Sequence, residues 1–163
     1  MIALLAALAG LTAGSVTGTV TAGGQPVTAG MALAPGATVD TSAGTLVLKA
    51  PKTPSGTQSL TLTGGLFTVN ESGGLVKLVL QSKDTRVCLE DGKVKRKLTA
   101  ATSSGRFEIT ARWAKVTVAK GRVTVSDKCQ TTTVKVEKGS AKVRDLAKKR
   151  TLTLKAGKRV TIG

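Results

Sequence analysis

The sequence has no histidine and no tyrosine, and Phe67, Phe107 and Trp113 are its only aromatic residues. Without imidazole there is no Ser-His or Cys-His pair to activate a nucleophile, and the commonest nitrogen ligand for a metal is missing. Carboxylates are scarce too, with nine Asp and Glu against 25 Lys and Arg. Glu90 and Asp91 form the one adjacent acidic pair, and in so polar a stretch they read as solvated acids rather than as a general acid and base. The triplet "SDK" at Ser126–Lys128 has no S-x-x-K to accompany it, so a penicillin-recognising site is excluded. The expectation is a protein that is not an enzyme and needs no cofactor or metal.

Long apolar runs are equally rare. Beyond the N-terminus no segment approaches the roughly 18 apolar residues of a membrane span. The opening "MIALLAALAGLTAGS" resembles the apolar region and small-residue cleavage site of a secretory signal, with an A-x-A triplet at Ala7–Ala9 but no basic residues ahead of it. Residues 1–14 are therefore read as a signal-peptide-like or truncated segment and 15–163 as a single domain, a size that suits one core. The location expected is secreted or cell-envelope.

Cysteine is limited to Cys88 and Cys129, with no CxxC pair of the zinc or redox kind. Two readings stay open, a single disulfide in an oxidising compartment or two buried thiols; export favours the bond. Closing a loop of about 40 residues would stabilise the fold by about 3–4 kcal/mol.

What the chain has in quantity is Thr, Val and Gly, the composition of many short strands joined by tight turns. Period-2 alternation marks "SVTGTVT", "GTLVLKA", "QSLTLTGG", "LFTVNES" and "LVKLVLQS", then "GRFEITARWAKVTVAKGRVTVSDKC", "TTVKVEKGSAKVRD" and "RTLTLKAGKRVTI". In the last three the inward set is Phe107, Ile109, Val116, Val118, Val123, Val125, Val134, Val136, Ala141, Val143, Leu152, Leu154, Val160 and Ile162. Glycine in "AKGRV", "EKGSA" and "KAGKR" predicts three hairpin turns. Residues 81–105 break the rhythm and predict a long mobile insertion. The fold class expected is all-β, an antiparallel sandwich or roll with essentially no helix.

These patterns resemble a known family. "GTVTAGGQPVTAGMALAPGATVDTSAGTLVL" is similar to the opening of the FecR-type β domain, and "VTVSDKCQTTTVKVEKGSAKVRDLAKKRTLTLKAGKRVTI" to its closing strands. "SDKC", "KVRDLAKKRTLTLKAG" and "GRFEITARWA" are similar to a secreted actinobacterial subgroup in which two cysteines flank an insertion. The resemblance spans about residues 15–163 and implies an extracytoplasmic β domain. At "VAKGRV" the sequence departs from the family's V-R-G-T, so no family contact is carried onto that segment. The family's regulatory role implies an alternative, a ligand- or partner-sensing domain of an envelope signalling system.

The charge is the last informative feature. Residues 1–76 hold two basic and two acidic groups, whereas residues 77–163 hold 23 basic against 7 acidic and so carry the whole net charge of +16. Lys135, Lys142, Arg144, Lys155 and Arg159 alternate with inward residues, which places them on an outer face, and Lys148, Lys149 and Arg150 form a run in a connection. Such an excess predicts an anionic partner: a wall or capsular polymer, or an anionic membrane surface. A protein partner is compatible with the same face. Nucleic acid fits less well, because stacking aromatics are missing.

Overall fold

A computed structural model describes residues 10–52, 55–82 and 96–163. The β-rich composition gives thirteen strands and no helix among the described residues. They are β1 (Leu11–Ala22), β2 (Gln25–Pro26), β3 (Ala32–Leu33), β4 (Ala37–Pro51), β5 (Thr57–Thr63), β6 (Leu66–Ser72), β7 (Leu75–Leu80), β8 (Arg96–Thr110), β9 (Ala114–Asp127), β10 (Thr132–Lys138), β11 (Ser140–Asp145), β12 (Arg150–Lys155) and β13 (Arg159–Ile162). No helix there is long and apolar enough to cross a membrane. The first strand starts at Leu11, four residues ahead of the expected domain start, and buries Leu11 and Ala13 in the core.

Two long strands organise the whole. β4 pairs with β6 through Ala37–Asp40 and with β5 through Thr45–Pro51. β8 pairs with β5 through Thr99–Ala101 and with β7 through Phe107–Thr110. Because β6 and β7 also pair, β4, β5, β8, β7 and β6 close into a barrel, and closure removes the unpaired edges of its inner strands. β1 flanks β4 outside this barrel and β9 flanks β8.

The expectation of a wholly antiparallel sheet is corrected at one place: β7 and β8 run parallel. Parallel neighbours cannot be joined by a tight turn; of the chain between Leu80 and Arg96, residues 83–95 lie outside the described residues. The expected insertion at 81–105 is shortened accordingly, since Arg96 to Gly105 belong to β8. In that stretch Leu98, Ala100 and Thr102 alternate inward, a weak signal because two of them are small or polar.

The three hairpins are corrected as well. β9 runs straight through "AKGRV", with Lys120 at φ 56° in mid-strand, and the bulges that face this segment lie in its neighbours, at Thr102–Arg106 of β8 and Val136–Lys138 of β10. β10 and β11 are successive halves of one run along β9, and β12 and β13 are successive halves of a run along those. Gly139 and Gly157, at φ 70° and 82°, therefore mark kinks inside long strands, not reversals. A Cβ at Gly121 would lie 2.6 Å from the Lys138 carbonyl oxygen, and one at Gly139 would strike that of Lys120, so the crossing of these backbones requires glycine at both.

The core is aliphatic around Phe67 and Phe107. Every inward position named from the alternation is buried except Leu152, which lies 37% exposed on the outermost strand, and Val160, which is half-buried against the core. Trp113 packs against the core, with the Arg112 guanidinium 5.9 Å from its ring centroid and its buried Nε1 lacking an acceptor among the described residues.

Polar side chains stitch the points where β4 and β8 change partners. Buried Thr41 accepts from the Gly65 amide and donates to the Gly65 carbonyl at the β5–β6 turn. Buried Gln58 donates to the carbonyls of Pro51 and Gly74 and accepts from the Arg106 amide, while Thr102 donates to the Ser59 carbonyl. Backbone groups left unpaired by the switch in partner are thereby satisfied.

Cys129 is buried. Its proposed partner Cys88 lies outside the described residues, and no disulfide is found among them.

Candidate anion-binding surface

All eight cations singled out in the sequence are exposed, and pairing register sorts them into four places. Lys135 stands directly opposite Arg159 across β10 and β13. Lys142 and Arg144 lie on β11 between β9 and β12, with Arg144 directly opposite Lys115. Lys148, Lys149 and Arg150 occupy the β11–β12 turn, where buried Asp145 accepts from the amides of Ala147 and Lys148 and Lys149 takes φ 54°. Lys155, opposite Ser140, closes the set near the kink at Gly157.

Lys135 and Arg159 also end a longer row. Register places Thr17, Thr45, Thr63, Thr99 and Thr124 side by side across β1, β4, β5, β8 and β9, followed by Lys135 and Arg159. Hydroxyls link Thr45 to Thr63 at 3.2 Å and Thr99 to Thr124 at 2.9 Å. The face is thus hydroxylated across the barrel and cationic at its outer end.

Residues 96–163 contain 18 Lys and Arg and four carboxylates, and each carboxylate is committed. Asp127 is buried against Arg96 at 2.6 Å, and Asp145 caps its turn. Glu108 lies 3.8 Å from Lys115, and Glu137 pairs with the Arg122 Nε at 2.8 Å. None of the eight predicted cations has an ion-pair partner among the described residues.

A further cluster was not legible in the sequence. Register aligns Thr61, Ala101, Arg122 and Lys138 across four adjacent strands, and the short Ala101 side chain leaves a depression between Thr61 and Arg122. The resulting groove, of about 510 Å³, is lined by Ser59, Thr61, Ala101, Thr102, Ser103, Lys120, Gly121, Arg122 and Lys138. A neighbouring groove of about 400 Å³ shares Lys120 and adds Lys52, Arg106 and the backbone of Gly73 and Gly74. Both sit at the "AKGR" segment of β9, expected to be a hairpin turn, where β8 and β10 bulge beside it. Its glycine was a visible signal, but the partners that complete the site come from β5, β8 and β10, which only strand register brings together.

No carboxylate except Glu137, which is paired, approaches the lining of the first groove, and no group of three or more metal-binding side chains exists among the described residues. Ammonium, guanidinium and hydroxyl groups can together bind oxyanions. Comparison with protein-family models, with curated proteins and with solved structures found no match.

Proposed function

We propose that the chain is a non-catalytic extracytoplasmic β module whose basic half binds an anionic wall or capsular polymer. The observation that carries this reading is a set of three like-charged cross-strand pairs: Lys135 opposite Arg159, Arg144 opposite Lys115, and Lys138 opposite Arg122. Like charges directly opposite destabilise a sheet, and a sequence selected for stability alone would place an acid at one member of each. Glu108 and Glu137 answer one member of two of these pairs, Lys115 and Arg122, whereas Lys135 and Arg159 have no carboxylate partner among the described residues, so the charge left over calls for neutralisation by something outside the chain. A linear polyanion supplies it over several strands at once. The export-like N-terminus supports an envelope setting, and the FecR-type motifs support the same compartment.

The test is retention on immobilised polyphosphate and on isolated wall polymer over a salt gradient. Exposed charges are screened within about 8 Å at physiological ionic strength, so retention is expected to fall steeply with salt. Charge reversal at Lys148, Lys149 and Arg150 together, or at Lys135, is expected to elute the protein earlier. Unchanged retention in these variants would sink the proposal, and binding to anionic vesicles but not to polymer would replace the polymer by a membrane surface.

A further inference from the structure

We propose that the groove beside Lys120 of β9 is a discrete subsite for a phosphate ester of a polyol or sugar, one repeat unit of the polymer; the inference rests on the polyanion reading above and deepens it. A general basic face needs no cavity, yet here one exists. Its volume of about 510 Å³ falls in the range of about 300–1,000 Å³ typical of small-molecule sites, which suits a phosphorylated unit better than a bare ion.

The lining divides by chemistry. Lys120, Arg122 and Lys138 stand toward the β9–β10 side, while Ser59, Thr61 and Ser103 supply hydroxyls on the β5–β8 side. Glu137 holds the Arg122 Nε at 2.8 Å and so fixes the guanidinium, and Lys120 and Lys138 have no ion-pair partner among the described residues. A phosphate near the cations leaves the polyol hydroxyls facing Ser59, Thr61 and Ser103. Those three hydroxyls make no hydrogen bond among the described residues, whereas Thr102 is occupied with the Ser59 carbonyl.

Backbone strain points to the same place. Lys120 takes φ 56° in the middle of a strand, a conformation disfavoured for a residue with a Cβ. Lys149 also has positive φ, but at the end of a tight turn where that conformation completes the reversal. In β9 a glycine at position 120 would relieve the strain, and lysine stands there instead, between the two grooves. Strain held against an easy remedy clusters at binding sites.

The test follows backbone amide shifts of Thr61, Ala101, Gly121 and Arg122 during titration with glycerol 3-phosphate, with inorganic phosphate and glycerol as separate arms. Saturable shifts with the ester, weaker with phosphate and absent with glycerol, are expected. Ala101→Phe fills the groove without altering charge and is expected to weaken ester binding by about tenfold or more. It leaves retention on polyphosphate largely intact. Lys120→Gly combined with Lys138→Gln provides the same readout from the charge side if the Phe variant does not fold. Ester binding unchanged in the folded variants, or no shifts at these amides in the parent protein, would overturn the subsite. Equal shifts with inorganic phosphate would overturn the polyol assignment. Loss of polymer retention in the parent protein with ester binding preserved would instead defeat the polyanion reading and leave the subsite standing.

Discussion

The Gln58 side chain fills the space that a Cβ at Gly105 would require, and its Oε1 accepts the Arg106 amide at 2.8 Å. The same side chain donates to the carbonyls of Pro51 and Gly74, so one buried amide ties together the end of β4, the β6–β7 turn and the bulge in β8. Gln58→Leu keeps the volume but orphans three backbone groups. At roughly 1–3 kcal/mol for each polar group left buried and unpaired, some of which gain water on relaxation, a loss of about 3 kcal/mol is expected. Urea unfolding with an unchanged slope checks it. Gly105→Ala is expected to destabilise at least as visibly, because the obstructing atoms are held by those bonds.

Positive φ at Lys120 and Lys149 permits a paired comparison. Relief of a left-handed conformation by glycine gains about 1–2 kcal/mol, offset by about 0.5–1 kcal/mol of extra chain entropy in the unfolded state. Both Lys120→Gly and Lys149→Gly are therefore expected to hold or slightly raise the melting temperature. Only Lys120→Gly is expected to weaken binding of glycerol 3-phosphate, since Lys149 lines neither groove. Equal losses in both variants would show that net charge, not position, governs that binding.

The like-charged pairs yield a prediction of opposite sign for stability and binding. Lys135→Glu faces Arg159 and exchanges repulsion for attraction, and Arg144→Glu removes a repulsion from Lys115, which Glu108 already approaches at 3.8 Å, so the larger gain is expected at Lys135. Roughly 0.2–1 kcal/mol of added stability per pair is expected, measured by thermal melting at low salt, together with earlier elution from immobilised polyphosphate. A drop in both quantities would mean that the lysine and arginine stems pack against the sheet in a way their charge does not reveal.

Much of the fold was legible because burial follows a local rule. Val116, Val118, Val123, Val125, Val134 and Val136 alternate in the sequence and are fully buried. The glycines at 139 and 157 were legible as positive-φ positions but not as kinks, and in "AKGRV" the positive φ falls on Lys120 rather than on Gly121. A hairpin and a bulge share the same local signature, and only the distant partner decides between them. The exposed cations of β10 to β12 were found by the alternation that found the core. The groove was not, because it is made by the absence of bulk at Ala101 and by a register joining β5, β8, β9 and β10.

Asp127 supports the outer strands that carry the cations, and its removal is the strongest test of that support. Its Oδ2 lies 2.6 Å from the Arg96 guanidinium and accepts the Arg112 amide at 3.0 Å, while its Oδ1 accepts the Thr132 hydroxyl at 2.5 Å. Thr132 Oγ1 in turn accepts the Trp113 amide at 3.0 Å. The carboxylate is thus shared by the start of β8, the β8–β9 connection and the start of β10. Asp127→Ala leaves the Arg112 amide unpaired and Arg96, 21% exposed, with a partly buried charge and no carboxylate. Breaking one side of such a pair costs about 3–5 kcal/mol, and the exposure of Arg96 puts the expectation at the lower end. Asp127→Asn keeps the acceptor toward one neighbour and is expected to lose less. Measured by urea unfolding, equal losses for Ala and Asn would assign the effect to charge pairing with Arg96; a much smaller loss for Asn would assign it to the hydrogen bonds that position Thr132.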